Sequence, residues 1–130
     1  YYDGLSPASI PIGTPLMVDF AEIGGVIEPV VRTPRVGADQ PAVIVVAMQT
    51  IMAAGYYWFA CEGEVTARVT YSASIRAGAT LKLVAGATAF SYDGRALDDS
   101  TVAVAPRAMK STETTLAINL PGNSYVIPAA

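Results

Sequence analysis

The chain has 130 residues, 52% of them apolar and 15% charged, with a net charge of −3, one cysteine and no histidine. Without histidine a Ser-His-Asp or Cys-His catalytic arrangement cannot form, and one cysteine excludes both an internal disulfide and a cysteine-built zinc cluster. The acidic balance, with the basic residues scattered from Arg32 to Lys110, offers no basic face to nucleic acid, and the length suits one domain with one core.

Nine prolines and eleven glycines punctuate the chain too often for long helices, since Pro cannot donate to the helix ladder and Gly loses too much entropy there. The reading is therefore all-β. Tyr1 to Gly13 contains Pro7 and Pro11 and shows no period, so it reads as an extended arm that something else must hold. Its Tyr1, Tyr2, Leu5, Ile10 and Ile12 offer apolar contacts to a partner. The first residues, Tyr1-Tyr2-Asp3-Gly4, carry neither the basic region nor the apolar core of a secretory signal.

From residue 14 to 130 a single domain is expected. Its predicted strands are Pro15 to Phe20, Val26 to Val31, Ala42 to Met48, Tyr56 to Glu62, Glu64 to Tyr71, Thr80 to Val84, Ala89 to Tyr92, Thr101 to Ala105 and Thr115 to Leu120. So many short strands predict a small barrel or sandwich. Gly24-Gly25 suits a tight hairpin, Asp93-Gly94 a type I′ turn, and Ala77-Gly78 closes the segment before Leu81. Pro29 confines the second strand to an edge or a bulge.

Alternation assigns faces. Ala42 to Val46 is apolar on both, which predicts a central strand or one covered by another subunit. The uncharged window from Gln40 to Cys61 is long enough to span a membrane. However, Gln49, Thr50 and Gly55 interrupt it, no basic residues flank it, and its first half is β-branched, so strands are the reading and no membrane partner is expected.

In the aromatic block, Tyr56 and Trp58 fall on one side and Tyr57 and Phe59 on the other. One pair is expected in the core and the other, Tyr56 and Trp58, at a subunit interface. Cys61 continues the Tyr57 and Phe59 side and reads as a small buried hydrophobe. Val65, Ala67 and Val69 share a dry face opposite Glu64, Thr66 and Arg68, and Leu81 and Leu83 repeat this with Lys82 outward. A turn or two of helix is allowed only within Gln49 to Ala54 or Asp98 to Ser100.

Little chemistry is legible. Glu62 with Glu64, and Asp98 with Asp99, are the close carboxylate pairs a glycosidase would need, but solvated strand-edge carboxylates are far commoner than acids with shifted pKa values. Asp93-Gly94 and Asp98-Asp99 lack the spacing of a calcium loop, and Gly24-Gly25 lacks that of a dinucleotide fingerprint. No enzyme activity, catalytic residue, metal or cofactor is expected.

Thr14-Pro15-Leu16-Met17-Val18-Asp19, then Val26-Ile27-Glu28-Pro29-Val30 after a short hairpin, then Ala42-Val43-Ile44-Val45-Val46-Ala47, resembles the opening of the head decoration proteins of lambda-like tailed phages. Gly55-Tyr56-Tyr57-Trp58-Phe59, Gly63, Val65, Ala67 and Ala77-Gly78-Ala79-Thr80-Leu81 look like the wider group of phage capsid cement proteins. The resemblance covers roughly Thr14 to Leu120, and the chain departs from it in being longer after Val69 and in its segment Asn123 to Ala130.

The resemblance implies a β-tulip or similar small barrel, a homotrimer on the outer surface of an icosahedral virion, and stabilisation of the shell by bridging major capsid protein subunits. It also implies an arm, Tyr1 to Gly13, that orders on the capsid, while the single Cys61 fits assembly in a reducing host cytoplasm. The alternative is a carbohydrate-binding or adhesin-like β-domain, with Tyr56 or Trp58 beside Asp98 and Asp99. A third reading, a glycosidase-like enzyme, would use Glu62 or Glu64.

Overall fold

The computed structural model describes residues 1–4, 8–35, 42–94, 102–122 and 124–125. The apolar runs between glycine and proline turns form β1 (Pro15–Ile23), β2 (Val26–Arg32), β3 (Ala42–Ala47), β4 (Phe59–Ala60), β5 (Gly63–Arg68), β6 (Thr80–Lys82), β7 (Ser91–Tyr92), β8 (Ala103–Val104), β9 (Thr115–Leu120) and β10 (Ser124–Tyr125). Each predicted strand is present, several of them shortened, and β10 is an addition. No helix forms among the described residues, so none is long and apolar enough to cross a membrane. Residues 49–54 are bends and loop with one β-bridge at Ile51, while Asp98 to Ser100 lies outside the described residues.

Two antiparallel sheets result, one in the order β10-β3-β1-β2 with β4 also on β3, the other in the order β5-β9-β8-β6-β7. The expected all-β class is what forms, as a pair of sheets and not as a closed barrel. One isolated parallel bridge, Val69 to Phe90, joins residues just outside β5 and β7, the end strands of the second sheet. The first stays separate, because the chain leaves β4 after two residues and crosses to the second sheet at Gly63, whose φ of 83° favours glycine.

Local signals explain the first sheet. Gly24 and Gly25 both have positive φ, 59° and 84°, and close a two-residue loop between the paired Ile23 and Val26. This is the handedness that lets twisted strands meet. β2, with Pro29, is an edge strand. Beyond Pro29, which lacks an N–H, the Val31 N–H donates to the Tyr1 carbonyl at 2.9 Å, so much of that edge cannot pair with another chain.

β3 is central, as its two apolar faces require. Ile44 and Val46, with Met17 of β1, enter the main core between the sheets beside Ala67, Val69, Leu81, Phe90, Leu116 and Ile118. Val45 and Ala47 point the other way, into a second cluster with Tyr2, Ile10, Leu16, Val31 and Ile51.

That second cluster corrects the reading of the arm. Tyr2 and Ile10 have no exposed surface. Tyr2 exchanges two backbone hydrogen bonds with Gly55, both 2.9 Å, and Ile10 two with Ile51, 2.8 and 2.7 Å. The outer face of a sheet apolar on both sides must be covered, and the chain covers it with its own first residues. Leu5, also named as an arm contact, lies outside the described residues.

The burial of Tyr2 is uneven in quality, since its hydroxyl is buried without a partner among the described residues. A buried hydroxyl with no hydrogen bond costs about 1–3 kcal/mol. Tyr2→Phe is therefore expected to hold or raise the urea unfolding midpoint at unchanged slope, whereas Tyr2→Ala should cost about 3–5 kcal/mol by emptying the ring's site. A midpoint lowered in Tyr2→Phe would contradict the orphaned hydroxyl.

Candidate interaction surface

The arm does more than fill a core. By pairing with Ile51 and Gly55 it fastens the segment between β3 and β4, and Thr50 Oγ1 accepts from the Ile12 N–H at 3.1 Å. The Tyr57 hydroxyl donates to the Ala53 carbonyl at 2.8 Å, tightening the same loop. A loop tied at several points presents its outward side chains in fixed places, which lowers the ordering cost of binding.

The predicted division of the aromatic block is what the loop displays. Tyr57 and Phe59 pack against the second cluster. Tyr56 and Trp58 face outward, 70% and 83% exposed. A cleft of about 320 Å³ runs along Tyr56, Tyr57 and Trp58. The Tyr56 hydroxyl donates to Glu28 Oε2 at 2.6 Å, and its ring lies 4.9 Å from that of Tyr1, tilted by 54°. The hydrogen bond to Glu28 is the first cause, ahead of partial burial and nearby charge, that raises the Tyr56 pKa and keeps the phenol a neutral donor.

The other face of β1 and β2 carries a separate exposed group, because Glu28, the partner of Tyr56, alternates with Ile27 and Pro29. Leu16, Val18, Phe20 and Glu22 share one face of β1, and register sets Val31 beside Val18, Pro29 beside Phe20, and Ile27 beside Glu22. This is the face that Tyr2 and Ile10 cover at its inner end. Farther out it is open, leaving Phe20 68% and Ile27 67% exposed. Alternation marks Phe20 as continuing a dry face, so its exposure is not visible in the sequence. Nor is the meeting of Tyr1, Glu28 and Tyr56, which are far apart in the chain.

Ion pairs anchor the surroundings. Arg32 holds Asp3 at 2.9 Å and approaches Asp19 at 3.8 Å, and Arg35 also pairs with Asp19. Elsewhere Arg107 grips Glu113 through two hydrogen bonds, 2.8 and 2.6 Å, and holds its carboxyl down to about 2. A carboxyl held ionised in this way is suited to an ion pair and not to proton donation.

Other expectations resolve differently. Cys61 is exposed and not buried, because β4 ends at Ala60 and the chain turns toward the other sheet there, breaking the alternation that would have carried the thiol inward. Glu62 and Glu64 are both exposed, with Gly63 between them in a left-handed conformation. Asp98 and Asp99 lie outside the described residues. Among the described residues no three of Cys, Asp and Glu converge as metal ligands would.

Of the arm residues, Tyr1 is half-buried against Tyr56 and Ile12 is exposed. No family model, curated protein or solved structure matches the chain.

Proposed function

We propose that the chain is a structural virion protein that binds the outer surface of an icosahedral phage capsid as a homotrimer and stabilises it by bridging major capsid protein subunits. The observation that carries this reading is the display of Trp58 and Tyr56 on a loop tied to the arm, while Tyr57 and Phe59 of the same block pack against the second cluster. Aromatic side chains presented on a tied loop are the residue types that dominate binding energy at interfaces.

The class of partner comes from the resemblance to phage decoration proteins, whose Thr-Pro-Leu-Met segment, hairpin and following strand correspond here to β1, β2 and β3. Bridging adds the avidity such a protein needs, since each contact after the first is intramolecular. Among the described arm residues, Tyr2 and Ile10 are used internally, which leaves Tyr1 and Ile12 for the capsid.

Co-sedimentation with expanded, undecorated capsids tests the reading. Trp58→Ala is expected to weaken binding by tenfold or more, about the size of a hot-spot truncation, with the unfolding midpoint unchanged because the side chain is largely exposed. Full capsid occupancy by a Trp58→Ala, Ile12→Ala double variant would sink it.

A further inference from the structure

Glu28 stands at the hydroxyl end of Tyr56 and makes no ion pair among the described residues. The cations nearest in sequence are committed elsewhere, Arg32 to Asp3 and Asp19, and Arg35 to Asp19. The Tyr1 amino group is likewise turned to the Pro29 carbonyl, at 3.2 Å. A carboxylate with no ion-pair partner among the described residues thus lies at the hydroxyl of the largely exposed Tyr56, whose ring lines a cleft together with Trp58.

The polar groups of the cleft are already engaged. The Tyr56 hydroxyl donates to Glu28 and the Tyr57 hydroxyl to Ala53. A sugar needs several convergent donors and acceptors, which this lining does not offer. A cation needs only the negative face of an aromatic ring and a carboxylate within reach, and donation from Tyr56 to Glu28 makes that ring more electron-rich.

We propose that Trp58, Tyr56 and Glu28 together receive a cationic side chain, an arginine or lysine, presented by a protein partner. The inference rests on the binding reading above and names the chemistry of the partner's contact. Tyr1 packs against Tyr56 and supports its orientation, while Trp58 supplies the more exposed surface on which a guanidinium can stack.

Trp58 is the only tryptophan, so the fluorescence of the 130-residue chain reports on this site. The probe is the blocked tripeptide acetyl-Gly-Arg-Gly-amide, with its citrulline counterpart as a neutral isostere and maltotriose as the sugar. The expected result is a saturable emission change with the arginine peptide and none with the other two. Glu28→Gln, a half-buried isosteric change with no ion pair among the described residues to lose, should keep its unfolding midpoint and bind the arginine peptide about two- to fivefold more weakly.

An equal response to the citrulline peptide, saturation by maltotriose alone, or no saturable change with the arginine peptide would each overturn the proposal. The titration involves no capsid. Its failure with capsid binding intact would remove the cation site and leave the function standing, and the reverse result would do the opposite.

Discussion

A chain lacking residues 1 to 12 is expected to lose most of its folding stability instead of persisting as an armless domain. Tyr2 and Ile10 are fully buried in the second cluster, and four backbone hydrogen bonds join them to Ile51 and Gly55. Emptying an aromatic site costs about 3–5 kcal/mol and an isoleucine site about 2–5 kcal/mol, against a whole-domain stability of about 5–15 kcal/mol. Circular dichroism during urea unfolding should show a much lower midpoint or no cooperative transition. A truncated chain that unfolds at the full-length midpoint would show that the arm is dispensable. The same reasoning explains why capsid binding is better tested with Trp58 and Ile12 than by deletion, since loss of binding after truncation would report unfolding.

Gly13→Ala should be more damaging than alanine at an open turn, lowering stability by about 2–3 kcal/mol. Gly13 joins the sheets: its N–H donates to the Ala47 carbonyl at 2.8 Å in the first, and its carbonyl accepts from the Arg68 N–H at 2.9 Å in the second. Its φ of 85° is costly for any residue with a Cβ, and a Cβ there would sit 3.3 Å from both Arg68 N and Thr66 O. Those are backbone atoms of a paired strand and cannot swing aside. Gly24 is the control, with a φ of 59° and nothing within 4 Å of the place a Cβ would take, so Gly24→Ala should cost only the left-handed conformation, roughly 1–2 kcal/mol. Thermal melts of the two variants give the comparison, and a Gly24→Ala loss equal to or larger than that of Gly13→Ala would refute the tie between sheets.

Much of the fold is legible residue by residue. Gly24-Gly25 places a hairpin, Pro29 places an edge, and the two apolar faces of Ala42 to Val46 place a central strand, all as observed. Each is a local rule of backbone geometry or a period-two pattern, which a short window contains. Part of the site is legible for the same reason, because parity within Tyr56 to Phe59 separates the packed pair from the displayed one. The rule fails at Cys61, where the strand ends and parity no longer carries across the turn.

Local rules thus suffice for an all-β domain, its turns, and two outward aromatics, since propensity, turn chemistry and alternation act over a few residues. What covers the outer face of the first sheet depends on the assembled fold. The arm has no period of its own, and its Tyr2 and Ile10 become core residues because Leu16, Val31, Val45 and Ala47 converge from three strands to receive them. Where that cover stops, Phe20 and Ile27 stay in solvent although their pattern matches that of buried neighbours. The meeting of Tyr1, Glu28 and Tyr56 is set the same way, by strand register and loop closure that bring distant residues together and leave no trace in any local pattern.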